Sequence, residues 1–204
     1  NPSSGADNRM RNPDRILILV GHPNDDSFCR SIAAAYEKGA LAGGAEVRRL
    51  TLGKLKFDPI LHHGFQKRMD LEPDLVKAQQ DILWAEHIVV VHPVWWSDMP
   101  ALLKGFIDRV FLPGFAFKYH ETGVFWDKLL KGRSGHILYT QDAPNWYYRF
   151  FIARPSVNAL RKGVLEFCGV SPVRATPIGP IKKSTDGFRR KWLERVEEMG
   201  RKRV

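Results

Sequence analysis

The sequence predicts an α/β domain: a doubly wound sheet of five parallel strands in the order 2-1-3-4-5, with helices on both faces. Three observations carry this prediction. Apolar runs of strand length recur five times between residues 15 and 178. Segments with apolar residues at helical spacing lie between them. The loops that leave the first and third runs are unusually polar and aromatic, and open sheets of this kind hold ligands at the carboxyl ends of their strands. Strands alternating with helices pair in parallel, and right-handed crossovers leave few topologies.

The elements follow in order. Residues 15–21 are short, continuous and apolar, and read as a buried strand. Residues 27–41 read as a helix with Phe28, Ile32, Ala35, Tyr36 and Gly39 on one face, stopped by Gly43 and Gly44. A second strand covers 47–52. An irregular stretch, 53–72, contains Pro59, His62, His63 and Gly64. Pro73 fits the first turn of a helix running to about 85. The third strand is 86–92. Met99, Leu102, Leu103, Phe106, Ile107 and Val110 repeat at helical spacing, so 98–111 is the third helix. A second long loop, 113–131, is aromatic. The fourth strand is 135–140, a helix covers 156–168, the fifth strand is 173–178, and 185–201 is the last helix.

Composition narrows the function classes. A hydrophobic fraction of 44% and a charged fraction of 26% are ordinary for a globular chain that buries a core. No apolar run approaches the roughly 20 residues that span a bilayer. Residues 1–14 are polar and read as a flexible tail without the apolar stretch of a signal peptide, with Met10 a candidate start; residues 15–204 read as one domain. Two cysteines, Cys29 and Cys168, suggest neither a disulfide framework nor a zinc site, so a cytoplasmic setting is expected. The net charge of +10 is concentrated near the C-terminal end, where a solvated helix with a basic end is the plain reading and no nucleic-acid motif is present. His62, His63, His87, His120 and His136 show no metal spacing, and no metal is expected. His92 sits at a strand end. Asp108 and Arg109 read as a helix-surface pair.

Two loops carry the candidate chemistry. The first, from Gly21 to Cys29, ends at a helix start, where free N–H groups and the helix dipole favour an anion. Ser27 and His22 can donate hydrogen bonds to a phosphate there. Equally, Asp26 or Ser27 can simply cap the helix. Asp25 and Asp26 oppose an anion unless their carboxylates turn to solvent. The loop is neither a G-x-G-x-x-G fingerprint nor a P-loop. The second loop carries Trp95 and Trp96. Two adjacent tryptophans must pack on something flat and apolar, either the core or an aromatic cofactor.

Together the loops resemble the NAD(P)H:quinone oxidoreductase family, of flavodoxin-like fold. The residues that carry the likeness are His22-Pro23 with Ser27-Phe28, and the run from Pro93 through Trp95-Trp96 and Pro100 to Gly105. Asp108 to Phe111, Phe115 to Tyr119, and Phe167-Cys168-Gly169 extend it. The resemblance implies a flavin, FAD or alternatively FMN, with NAD(P)H as co-substrate, a quinone-like acceptor, and hydride transfer in a ping-pong scheme through flavin N5. His22, Ser27, Phe28 and Cys29 would hold the flavin phosphate. Pro93, Val94, Trp95, Trp96 and Ser97 would cradle the ring, and Thr140, Gln141 and Asp142 would meet its polar edge. Family members are commonly homodimers; Phe117 and Tyr119 match aromatic positions that lean over the substrate from the other subunit.

The chain also departs from the family pattern. Cys29 stands where asparagine is usual, Ser97 where an aromatic is frequent, and Gln141-Asp142 where glycines are frequent. Tyr147 lies near the tyrosine of a Tyr/His relay, but the histidine is missing. Tyr147 and Tyr119 are the candidate catalytic residues, and Phe117, Tyr119 and Trp146 the candidate substrate pocket. Tyr148 could wall the same slot, or the run Trp146-Tyr147-Tyr148 could be surface packing. Arg149 and Arg154 are candidates for attracting the nicotinamide phosphates, and Arg189 or Arg190 for the adenine end. An alternative from the same resemblance is a flavin-loaded accessory subunit of a potassium-efflux system.

Overall fold

The computed structural model describes residues 14–203. The expected tail before Asp14, with Met10, lies outside the described residues. The main sheet comprises β1 (Arg15–Val20), β2 (Glu46–Thr51), β3 (His87–Pro93), β6 (Ser134–Thr140) and β7 (Val173–Ile178), all parallel, in the order β2-β1-β3-β6-β7. Counting main-sheet strands alone, this is the predicted order 2-1-3-4-5. The helices are α1 (Phe28–Ala42), α2 (Pro73–Trp84), α3 (Ala101–Val110), α4 (Asn145–Phe150), α5 (Pro155–Asn158) and α6 (Asp186–Lys202).

Alternation along β1 divides the core. Leu17 and Leu19 pack in one cluster with Leu75 and Ile82 of α2 and Leu103 and Phe106 of α3. Ile16, Ile18 and Val20 pack in another with Ile32 and Tyr36 of α1 and Val196 of α6. Successive strand side chains point to opposite faces, so a continuous apolar run serves both clusters. Helices α1 and α6 touch backbone to backbone. A Cβ at Gly39 would lie 1.8 Å from the Glu197 carbonyl oxygen, and one at Gly200 would lie 2.1 Å from that of Tyr36. The basic last helix is therefore bound along one side to α1, and Lys38 pairs with Glu197 there at 2.8 Å.

Four expectations are corrected. The loop 113–131 contains an antiparallel hairpin, β4 (Phe117–Tyr119) with β5 (Trp126–Lys128); strands of three residues are too short to show alternation. Helix α4 was not anticipated within the aromatic run. The helix expected over 156–168 starts at Pro155 and passes through π-helical turns over Ala159–Glu166. Arg109 is not on the surface: it is 1% exposed, and its guanidinium holds the Glu72 carboxylate at 2.8 Å and the Asp70 carbonyl at 2.9 Å. It ties the irregular stretch before α2 to α3. Asp108 does lie outward, paired with Lys104. Among the described residues no helix is long and apolar enough to cross a membrane.

Candidate functional site

Strand order reverses between β1 and β3, and a crevice opens there at the carboxyl ends of β1, β3 and β6. Its volume is about 380 Å³. The loop after β1 supplies His22, Asn24, Asp26, Ser27, Phe28 and Cys29 to its walls. The end of β3 supplies Pro93, Val94 and Trp95, and the end of β6 supplies Thr140, Gln141 and Asp142. Ile181 and Arg189 close the far side.

At one end the crevice meets the start of α1 and a group of polar side chains. Ser27 caps α1: its Oγ accepts from the Arg30 N–H at 3.3 Å. Capping uses the acceptor side of the hydroxyl and leaves its hydrogen to donate, so the two readings of Ser27 are compatible. The first N–H groups of a helix have no partner within it and carry the positive end of its dipole. The His22 Nδ1 accepts from the Asn24 N–H at 3.0 Å, which leaves Nε2 as the donor of the neutral ring. Burial lowers the His22 pKa and favours that neutral form. Asp25 is drawn away. Its carboxylate pairs with Arg30 and Lys54, each at 2.9 Å, and the bond from Lys54 holds its pKa below the usual carboxylate range. Asp26 remains exposed on the crevice wall. The Arg189 guanidinium, also in the lining, is oriented by Ser184 Oγ at 2.8 Å and lies over the Phe28 ring at 5.5 Å.

The middle is held by β6. The Val94 N–H donates to the Thr140 carbonyl at 2.7 Å, which joins the ends of β3 and β6. Thr140 Oγ1 and Cys29 Sγ lie 3.6 Å apart, and burial pushes the Cys29 thiol up to about 11, so it stays protonated at neutral pH. The Ile181 N–H donates to the Gln141 carbonyl at 3.1 Å, and the Lys182 N–H donates to Asp142 Oδ1 at 2.7 Å. These bonds fix a loop that the sequence alone left open. Gln141 is buried, and its Oε1 has no partner among the described residues. A buried acceptor without a donor is a group that a bound molecule would satisfy.

The third part is a turn. Trp95 and Asp98 exchange both backbone hydrogen bonds at 2.9 Å, and Trp96 and Ser97 between them have φ of 51° and 64°. This is the pattern of a type I′ turn, normally occupied by Asn or Gly. The Trp96 and Ser97 N–H groups have no acceptor among the described residues. Trp95 packs edge-on against His22 at 5.3 Å and stays half exposed. Trp96 is 101% exposed, so the expectation that both tryptophans find a flat partner is not met within this chain.

The structure does not gather every expected residue. Trp96 and Ser97 lie just beyond the crevice lining. Phe117 and Tyr119 sit on the β4–β5 hairpin, where Phe117 packs against Phe167 at 5.2 Å. Trp146 and Tyr147 pack against Phe151 at the surface. None of these four lines the crevice. Tyr148 does not wall a slot either; it is buried and hydrogen-bonded to Ser97 and Ser156. His92 lies wholly buried below the turn, its Nδ1–H donating to the Pro93 carbonyl at 2.8 Å, with desolvation lowering its pKa to about 4. Asn24 and Ile181 were missed. Asn24 was detectable as an Asx turn residue; Ile181 arrives only through the fold.

A family profile described as a flavodoxin-like fold matches residues 14–199. An uncharacterized NAD(P)H oxidoreductase of Haemophilus influenzae is 31% identical over 182 residues, 87% of this chain and 90% of that protein. The human ribosyldihydronicotinamide dehydrogenase (quinone) is 27% identical over 214 residues, covering 90% of each chain. The crystal structure of Smu.1420 from Streptococcus mutans UA159 superposes with a TM-score of 0.79 at 34% identity, covering 92% of this chain and 99% of that one. The profile match along almost all of the described residues, with relatives named for NAD(P)H oxidation and quinone reduction, shows that this chain belongs to the flavodoxin-like NAD(P)H:quinone oxidoreductase family and is an oxidoreductase.

Proposed function

We propose that the protein is a flavin-dependent NAD(P)H:quinone oxidoreductase, acting on quinones or related acceptors. The observation that carries this reading is the two-ended crevice at the strand-order reversal. One end offers helix N–H groups, Ser27 and His22 to a phosphate; the other offers unpaired N–H groups on the turn at Trp96 and Ser97, beside Trp95. The buried, unpaired Gln141 Oε1, on a residue of the crevice lining, supports a bound molecule with a donor.

When bound, the flavin supplies hydride acceptance and donation at N5, the chemistry that the protein lacks. The chain positions and excludes. Ser27, His22 and the start of α1 would hold the phosphate, Thr140 and Gln141 the polar edge, and Trp95 one face. Arg189, set by Ser184 over Phe28, extends the anionic end and favours FAD over FMN. Reduced nicotinamide and the acceptor would use one slot in turn, which gives ping-pong kinetics. The exposed aromatics Trp96, Tyr119, Trp146 and Tyr147, with half-buried Phe117 beside Tyr119, fit walls completed in a homodimer, with Tyr119 and Tyr147 the candidate groups beside the acceptor.

The test is direct. Purified protein, or protein titrated with FAD and FMN, is expected to show a flavin visible spectrum, tighter retention of FAD, and parallel double-reciprocal lines with NAD(P)H and a quinone. A colourless protein that binds neither flavin would refute the reading.

A further inference from the structure

Among the described residues, five that are not glycine have positive φ: Trp96, Ser97, Ala153, Arg154 and Arg203. Four of them form two pairs more than fifty residues apart in sequence, and one set of hydrogen bonds joins the pairs. The Ser97 carbonyl accepts from the Tyr148 hydroxyl at 3.2 Å and from the Ser156 N–H at 3.3 Å. Tyr148 and Ser156 hydroxyl oxygens are 2.7 Å apart. With Tyr148 donating to Ser97, the Ser156 hydroxyl donates to Tyr148. On the other side, the Arg154 N–H donates to the Tyr148 carbonyl at 3.1 Å.

The strain and the bonds explain each other. A left-handed residue with a side chain is disfavoured and persists only where its surroundings hold it. The cross-turn bonds between Trp95 and Asp98 are local and close the turn, but they do not reach the Ser97 carbonyl. That carbonyl is held from the segment 148–156. Tyr148 is 2% exposed, and its ring packs with Tyr139 at 6.1 Å, so the hydroxyl is delivered from a rigid base at the end of β6. Packing alone would be served by phenylalanine. The hydroxyl adds the bond to Ser97.

We propose that Tyr148 and Ser156 are positioning residues: the Tyr148 hydroxyl, oriented by the Ser156 hydroxyl, and the Ser156 backbone N–H bind the Ser97 carbonyl, hold the Trp96–Ser97 turn in its left-handed form and keep its N–H groups set for the flavin. The proposal rests on reading the crevice as the flavin site. It assigns a role in that site to two residues that do not line the crevice.

Three variants of the full chain test it: Tyr148→Phe, Ser156→Ala, and Tyr148→Phe combined with Ser97→Gly. In the flavin-free protein, amide hydrogen exchange at Trp95 and Asp98 is expected to quicken about tenfold in Tyr148→Phe, the effect of one lost hydrogen bond. Exchange at Ile18 and Val90 in the sheet should stay as in the wild type. The flavin dissociation constant is expected to rise about tenfold in Tyr148→Phe and somewhat less in Ser156→Ala. Ser97→Gly removes the penalty of the left-handed conformation and should bring the affinity of Tyr148→Phe back to within about threefold. Should Tyr148→Phe fail to fold, Ser156→Ala, which loses only the hydroxyl that orients Tyr148 and keeps its backbone N–H bond to Ser97, is expected to move the same readouts by about threefold.

Wild-type affinity in both Tyr148→Phe and Ser156→Ala overturns the positioning role, as does failure of glycine to restore affinity. A wild-type chain that binds no flavin refutes the functional reading instead. The exchange measurement then still decides whether the clamp holds the turn, and unchanged exchange at Trp95 and Asp98 overturns it.

Discussion

The two strand-end loops of the crevice are built in opposite ways. The loop after β1 satisfies itself locally. Asn24 accepts from Asp26, His22 accepts from Asn24, Ser27 caps its own helix, and Asp25 pairs with Arg30 five residues on. The loop after β3 closes one local turn but leaves Trp96 and Ser97 in left-handed conformations, braced by Tyr148 and Ser156 from a distant segment. An anion site needs only a helix start and a few donors, which six or seven consecutive residues can supply. The turn after β3 is instead held from outside its own loop, through bonds to the Ser97 carbonyl.

Acid stability is the largest expected effect, and it bears on the β3 side. His92 beneath the turn and His87 at the start of β3 are both held down to about 4 by burial. Their folded values lie below the unfolded value near 6.5, so the unfolded chain takes up the proton first. Stability is whole above about pH 6.5 and is lost as pH falls toward 4, by on the order of 3 kcal/mol for His92 alone. Urea midpoints measured from pH 7.5 to 4.5 should fall steeply, and His92→Gln should flatten the fall. A flat wild-type profile would contradict a neutral His92.

A paired substitution then separates the loops. Ser27→Ala should lower both folding stability, by about 1 kcal/mol for the lost cap, and flavin affinity, by about tenfold. Trp96→Ala should weaken flavin retention by a similar factor through lost ring contact while moving the unfolding midpoint by less than about 0.5 kcal/mol, because the side chain is exposed. Equal effects of the two changes on stability would erase the contrast.

The smallest expected effect sharpens it. Asp25→Asn removes a charge that Arg30 and Lys54 already neutralise. Flavin affinity should change by less than about threefold, with the change fading in added salt. A large gain in affinity would mean that Asp25 faces the anion after all.

Much of the site was legible before the fold was known. Phe28 and Cys29 were added by the family resemblance; His22 and Ser27 were legible because a strand end, a polar loop and a helix start are consecutive. Pro93, Val94 and Trp95 were legible for the same reason. Thr140, Gln141 and Asp142 were named by the family resemblance, and parallel pairing brings them to the crevice, where Pro93 registers with Thr140. The β4–β5 hairpin, helix α4 and the burial of Arg109 were not legible. Short irregular segments carry no period, and a charged residue gives no sign that a distant carboxylate and carbonyls await it.

The sequence by itself pointed to the sheet, its strand order and the place of the crevice, because hydrophobic period and crossover handedness leave few arrangements. It also showed the polar loop after β1 running into a helix start, whose bonds are nearly all local. Only the tertiary structure decided how the Trp96–Ser97 turn is held, which of three adjacent aromatics is buried, and that Arg189 reaches the crevice. Those outcomes depend on groups fifty or more residues apart meeting at hydrogen-bond distance, and no local pattern encodes such a meeting.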